Sequence, residues 1–329
     1  MALKIRSYRG ADEDALLDLW RATMTHDRIT PSVWRTKVLL DPNFDPDGLL
    51  VAEEGDTLVG FVLSLTRRVP YFLQGLESED GWITAFGVHP DYRRQGIGRA
   101  LFDAALARMA ALGRTRVAVS PYTPNYFIPG VDVEAYPPAL AFLHTLGWQT
   151  ISTPIAMRAE LTGFQVPPEV AALEGRLRHD DIVVRPVQSA DLPALMAFTV
   201  EHFGWDWYRF AQEYLLALFG AGADDIGCYV AARGEAIIGY CQHRRERFGP
   251  FGVAPEMRNR GIGRLLLFRC LTDMVTRGFH CAWFLWTGRD AARLYSLAGF
   301  RQMRQFAIMQ TEVRFRRRSD RSKFNGEIS

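Results

Sequence analysis

Hydrophobic positions along this chain alternate between strand and helix periods, and the same succession runs twice. Residues 5–8 and 184–187 are short strand-like stretches, each followed by Ala-Asp (Ala11-Asp12, Ala190-Asp191) and a capped amphipathic helix. Residues 50–61 and 229–240 are apolar runs broken at Gly55-Asp56 and Gly234-Glu235, the pattern of a β-hairpin. Residues 82–88 read as a buried strand. Behind it Ala100, Leu101, Ala104, Ala105, Met109 and Leu112 recur at helical spacing as far as Gly113. Residues 248–253 repeat the strand, and Leu265, Leu266, Phe268, Cys270, Leu271 and Met274 repeat the helix up to Gly278. Further strands at 116–120 and 281–286, a short helix and a Gly–aromatic pair (Gly147-Trp148, Gly299-Phe300) close each copy. This order predicts an α/β fold, with a central mixed sheet flanked by helices in each copy.

The two copies are not in constant register. Arg93 and Arg258, Gly96 and Gly261, and Gly113 and Gly278 are all 165 residues apart, whereas Arg6 and Arg185 are 179 apart and Gly147 and Gly299 are 152 apart. The first copy therefore carries 14 extra residues before its buried strand and 13 more after the next one. The later insertion, residues 121–132, is rich in Tyr, Pro and Gly; it reads as a brace between the copies, with a substrate lid as the alternative. We place the first domain at 1–162, a linker around Pro167-Pro168 at 163–180, the second domain at 181–314 and a basic tail at 315–329. The tail, with Arg316, Arg317, Arg318, Arg321 and Lys323, reads as a solvated end.

Length and composition change the picture only slightly. A chain of 329 residues with 48% hydrophobic content supports two packed cores. A net charge of +2 gives no reason to expect nucleic acid or a membrane as partner. No apolar run reaches spanning length and no signal-peptide core opens the chain, so a cytoplasmic protein is expected. The four cysteines fall in the second copy without a C-x-x-C, which argues against metal binding and a disulfide framework. Cys228 and Cys241 flank the Gly234-Glu235 turn and are expected as cross-strand neighbours, both thiols.

The chemistry lies in a repeated turn. Val88-His89-Pro90-Asp91-Tyr92-Arg93-Arg94-Gln95-Gly96-Ile97-Gly98-Arg99 returns as Val253-Ala254-Pro255-Glu256-Met257-Arg258-Asn259-Arg260-Gly261-Ile262-Gly263-Arg264. Glycines let a ligand approach the backbone, and the free amides of a first helical turn, with the helix dipole, attract phosphate oxygens. The arginines add positive charge, so each turn is a candidate diphosphate site. No Gly-Lys-Ser/Thr is present for a triphosphate loop, and Leu101 and Leu266 replace the third glycine of a dinucleotide fingerprint.

The pattern Arg-x-x-Gly-x-Gly, found twice between a strand and a helix, resembles the coenzyme A loop of the GCN5-related N-acetyltransferase (GNAT) family. The resemblance implies two tandem GNAT domains binding acetyl-CoA through Val88, Arg93, Arg94, Gln95, Gly96, Ile97, Gly98 and Arg99, and through Val253, Arg258, Asn259, Arg260, Gly261, Ile262, Gly263 and Arg264. It implies a pantetheine arm lying in a gap between two splayed strands. It also implies acetyl transfer to the primary amine of a small molecule by direct attack, with coenzyme A as product and no metal. Many relatives carry an acid Tyr four residues before the closing Gly–aromatic pair. Tyr295 matches in the second copy, whereas the first has Leu143, so the second is the expected catalyst. Glu246 is the candidate base, beside His243; Glu79 and Asp80 occupy the comparable place in the first copy. The run from Phe203 through Trp205, Asp206, Trp207 and Tyr208 would wall the acceptor or form the core of a helix pair. The alternatives are a non-catalytic acyl-CoA sensor and a protein N-acetyltransferase that docks its partner through the basic tail.

Overall fold

The computed structural model describes residues 3–119 and 121–313; the basic tail lies outside them. The first copy comprises β1 (Leu3–Ser7), α1 (Glu13–Thr23), α2 (Pro31–Trp34), β2 (Leu49–Glu54), β3 (Thr57–Leu65), β4 (Asp80–Val88), α3 (Ile97–Ala111), β5 (Arg116–Val119), β6 (Val131–Asp132), α4 (Pro137–Thr145), β7 (Gln149–Ser152) and β8 (Ile155–Glu160). Then comes α5 (Pro168–His179). The second copy comprises β9 (Ile182–Pro186), α6 (Leu192–Phe203), α7 (Trp205–Leu215), β10 (Ile226–Arg233), β11 (Ala236–Arg244), β12 (Arg247–Val253), α8 (Ile262–Thr276), β13 (Cys281–Thr287), α9 (Arg289–Ser296) and β14 (Arg301–Glu312). The strands join in the order β1-β2-β3-β4-β5-β14-β8-β13-β12-β11-β10-β9, with β6 and β7 also on β14. Among the described residues no helix is long and apolar enough to cross a membrane.

The copies exchange their last strands. The first half of β14 pairs with β8, Arg301 opposite Arg158 and Gln305 opposite Ile155. Its second half crosses into the first copy and pairs with β5, Met309 opposite Val119 and Glu312 opposite Arg116. In return β8 lies against β13 of the second copy. Neither sheet is complete without a strand from the other half of the sequence, so pulling the copies apart exposes unpaired backbone on both sides.

Local sequence accounts for the layers. In α1, Leu16, Leu17, Leu19 and Trp20 are buried; with Trp34 and Phe61 they form the core on one face of the first sheet. Leu101, Phe102, Ala105 and Met109 of α3 fill the other face. Each copy opens with the same anchored turn. Arg6 donates to both Asp12 carboxylate oxygens at 2.7 and 2.9 Å, and Arg185 to those of Asp191 at 2.6 and 2.8 Å. Each carboxylate also accepts an amide, from Arg9 and Gln188 respectively.

The stretch placed as a linker contains α5. Pro168 sits in its first turn, where a missing N–H costs nothing. Its apolar face, Val170, Leu173 and Leu177, is buried against the second copy. Cys228 stands opposite Gln242 and Cys241 opposite Tyr229, so the two thiols are offset by one position in the register; all four cysteines are free and buried.

Candidate functional site

In the first copy β4 and β5 pair in parallel only from Asp80 to Trp82, opposite Arg116 to Ala118. Beyond that the strands diverge. A bulge shifts the β3–β4 register, so that Leu63 faces Ala85 and Ser64 faces Ile83, with Thr84 left over. The His89 amide donates to Val59 O at 2.9 Å, across β3. Strand alternation therefore turns the amides of Phe86 and Val88 toward the gap. The gap is a cavity of about 700 Å³, walled by β4, the start of α3, Phe142 of α4, the end of α1 and the insertion residues Ile128 and Gly130. The Thr84 hydroxyl lines it, buried and without a hydrogen-bond partner among the described residues.

The cavity leads to the glycine turn. Arg94 and Gly96 both take left-handed backbone, φ 65° and 85°, which curls the chain and starts α3 at Ile97. The first helical bond runs from Ala100 N to Gly96 O, leaving the amides of Ile97, Gly98 and Arg99 without intrahelical acceptors. A Cβ on Gly96 would meet nothing within 4 Å, whereas one on Gly98 would stand 3.3 Å from Phe142. Gln95 and the guanidiniums of Arg94 and Arg99 are exposed at the mouth. Arg93 turns back to cap Val88 O at 3.0 Å, so its contribution is to hold the turn.

At the inner end, Tyr136, the residue preceding α4, joins the wall. Its hydroxyl donates to Asp27 Oδ2 at 2.8 Å and accepts the His26 amide at 3.2 Å. Burial, reinforced by the Asp27 charge, pushes the phenol well above its ordinary range, so it keeps its proton. Arg304 of β14 holds Asp27 from the other side at 2.7 and 2.9 Å, and also pairs with Asp132. The second copy thus completes the rim of the first. Sequence reasoning passed over both Tyr136 and Arg304. Tyr136 stands eleven residues before Gly147 rather than four, and Arg304 is 277 residues from its partner.

The second copy repeats the turn but not the opening. Asn259 and Gly261 have φ 62° and 89°, and Arg258 caps Val253 O at 3.2 Å. Arg260 is exposed and Ile262 is buried. Here, however, α5 lies across the turn. A Cβ at Gly261 would fall 2.6 Å from Leu173 Cδ2; Glu169 pairs with Arg264 at 2.9 Å, and Glu174 pairs with Arg269. The strand gap is filled as well. β12 and β13 share the single pair Arg247–Trp283, and Phe248, Phe251, Phe284, Tyr295 and Phe300 pack together with ring centroids 4.6–6.2 Å apart. Leu294 and Phe251 close on Gly263.

The second copy, expected as the catalyst, is therefore the more closed of the two around its turn. Tyr295 is only 8% exposed, and burial pushes its phenol up among aromatic rings rather than beside an open pocket. Glu246 lies at the far end of β12, its carbonyl accepting the Trp283 amide and its carboxyl beside Cys281, outside that aromatic cluster. His243 is fully buried on Asp273 at 2.8 Å. Glu79 and Asp80 are ion-paired with Arg116. The aromatic run braces the two halves of the chain: Trp205 stacks on Phe72 at 5.4 Å, and Asp206 accepts from Tyr71 at 2.9 Å. The 121–132 insertion reaches the second copy and walls the cavity at once, since Val131 and Asp132 pair with Ala307 and Phe306 of β14 while Ile128 faces the gap. Among the described residues no three His, Cys, Asp or Glu side chains gather as a metal site.

Comparison with known proteins agrees with the duplication. The model of the acetyltransferase (GNAT) family matches residues 13–126 and 192–300. Mycothiol acetyltransferase of Thermobispora bispora is 33% identical over 120 residues, covering 35% of this chain and 39% of that protein. The curated relative is therefore matched over well under half its length. Two solved structures align over nearly all of this chain. One is the GCN5-related glucosamine N-acetyltransferase region of a fungal multi-domain GH3 β-N-acetylglucosaminidase, with TM-score 0.72 and 20% identity over 94% of this chain and 38% of that one. The other is a tandem GNAT protein from the clavulanic acid biosynthesis pathway, with TM-score 0.60 and 17% identity over 95% and 99%. At such identity the likeness is one of fold.

Proposed function

Because this chain belongs to the acetyltransferase (GNAT) family, we propose that it transfers an acetyl group from acetyl-CoA to the primary amine of a small molecule, and that the first copy does the chemistry. One observation carries this: a single 700 Å³ cavity joins an open helix start, the unpaired edge of β4 and the orphaned Thr84 hydroxyl. An extended amide-bearing arm with a diphosphate at one end fits that set of groups. The amides of Ile97, Gly98 and Arg99 would hold the diphosphate, with Arg94 and Arg99 neutralising it. The amides of Phe86 and Val88 would hold the arm as a pseudo-strand, and one of them would polarise the thioester carbonyl. The coenzyme supplies the activated acetyl group and a thiolate leaving group. Tyr136, which keeps its proton at neutral pH, would turn its hydroxyl from Asp27 to the departing thiolate and take back the proton that the attacking amine gives up, the acid role that Leu143 cannot fill. The name of the mycothiol acetyltransferase relative supports a small-molecule acceptor.

A non-catalytic coenzyme sensor is the second reading, favoured by the buried Leu143 at the usual acid position. Thiol release from acetyl-CoA across a panel of primary amines separates the two. Release with at least one amine, lost in Gly96→Glu, supports transfer by the first copy; coenzyme binding without release from any amine supports the sensor.

A further inference from the structure

A group of cations between the two copies has no part in the coenzyme site. Lys37, three residues past the end of α2, is half-buried and donates to Tyr126 O at 2.6 Å. Its Nζ lies 5.9 Å from the Tyr126 ring and 5.7 Å from that of Phe127, both on the 121–132 insertion. Opposite stands Phe210 of α7, whose ring carries Arg209 at 4.0 Å and Arg247 at 4.9 Å. Among the described residues neither Lys37 nor Arg247 pairs with a carboxylate, while Arg209 is balanced by Asp206 and Glu213. Burial, then the charges of Arg247 and Arg209, push the Lys37 ammonium down to about 8. Lys37 and Arg247, half-buried in this cleft with no carboxylate of their own, disfavour one another unless an anion joins them.

The cleft is tied to the cavity through the insertion. Two residues after Tyr126, Ile128 lines the cavity wall, a span of about 7 Å in extended chain. Resting on the function proposed above, we infer that Lys37 and Arg247 bind an oxyanion, carboxylate or phosphate, at the far end of the acceptor whose amine enters the cavity. Such a ligand would supply the missing negative charge, and its chain would cross the aromatic edges of Tyr126 and Phe127. Arg247, with a guanidinium fork over Phe210, suits bidentate recognition, and Lys37 adds a point charge.

The test uses primary amines matched in length that end in a carboxylate, a phosphate monoester or a neutral amide. The full chain is expected to prefer one of the acidic amines by at least tenfold in kcat/KM, and the preferred ending identifies the anion. In Lys37→Met and Arg247→Gln that ratio should collapse toward one. Turnover without preference for an acid overturns the inference and leaves the acetyltransferase reading standing. If no amine is turned over, that reading falls, and inorganic phosphate judges the cleft alone. With the diphosphate turn filled by coenzyme A, phosphate should raise the melting temperature more than chloride of equal ionic strength, and Arg247→Gln should remove the difference. An equal phosphate response in Arg247→Gln overturns the cleft.

Discussion

Arg304, on the last strand of the second copy, donates from both terminal nitrogens to the Asp27 carboxylate of the first, at 2.7 and 2.9 Å. The same guanidinium pairs with Asp132, which is 2% exposed, so one cation balances two carboxylates. Arg304→Met would leave both acids without a partner. Removing one member of a buried pair typically costs about 3–5 kcal/mol. Chemical denaturation should show a loss of that order, and Asp27→Asn in the same background should recover part of it. A midpoint unchanged by Arg304→Met would mean that solvent already screens the group.

Acid stability is set in part by the paired turns that open each copy. Arg6 holds the Asp12 carboxyl below its usual range against the opposing effect of burial, and Arg185 does the same for Asp191. A carboxylate whose folded pKa lies below its unfolded value, about 3.9, stabilises the fold above that value and loses the contribution as pH falls through the folded one. Unfolding free energy should therefore drop below about pH 4. Asp12→Asn and Asp191→Asn should each flatten the slope, by no more than about 1.4 kcal/mol per pH unit. Identical slopes in the variants and the parent would remove these groups from the acid response.

The two glycine turns separate binding from folding. Gly96→Glu puts a carboxylate into an open cradle. It should abolish the rise in melting temperature given by acetyl-CoA, with little change in the coenzyme-free protein beyond the strain of a left-handed residue. Gly261→Glu meets Leu173 and the same backbone conformation, φ 89°. It should destabilise the fold by about 2–4 kcal/mol and leave the coenzyme response intact. The reverse pattern would move the site to the second copy.

What was legible in the sequence follows from what sequence can encode locally. Gly96 and Gly261 declare the turns because left-handed backbone at a helix start favours glycine, and the 165-residue repeat declares two copies. Val170, Leu173 and Leu177 carry a helix signal within the stretch read as a linker, but nothing local says that this helix covers Gly261. The exchange of β8 and β14 is hidden for the same reason: the partner of a strand depends on which sheet edge is vacant. Tyr295 matches the motif position, yet the environment that buries it comes from Phe248, Phe251, Phe284 and Phe300, scattered over 53 residues. One local hint was available. Pro250 stands in β12 where Ala85 stands in β4, and a proline inside a strand warns of altered backbone.

Two tyrosines decide between the copies. Tyr136 lines the cavity with its hydroxyl on Asp27, whereas Tyr295 is packed among rings. If Tyr136 protonates the departing thiolate, Tyr136→Phe should lower kcat by about 10²-fold or more while leaving acetyl-CoA affinity within about twofold, since the aromatic ring and the β4 amides remain. Tyr295→Phe removes a hydroxyl remote from that cavity and should leave kcat unchanged. The readout is steady-state thiol release alongside a coenzyme titration of each variant. A fall in affinity matching the fall in kcat would make Tyr136 a wall of the site rather than its acid. Loss of kcat in Tyr295→Phe alone would return the chemistry to the second copy, and α5 would then have to swing away from Gly261 for the coenzyme to enter.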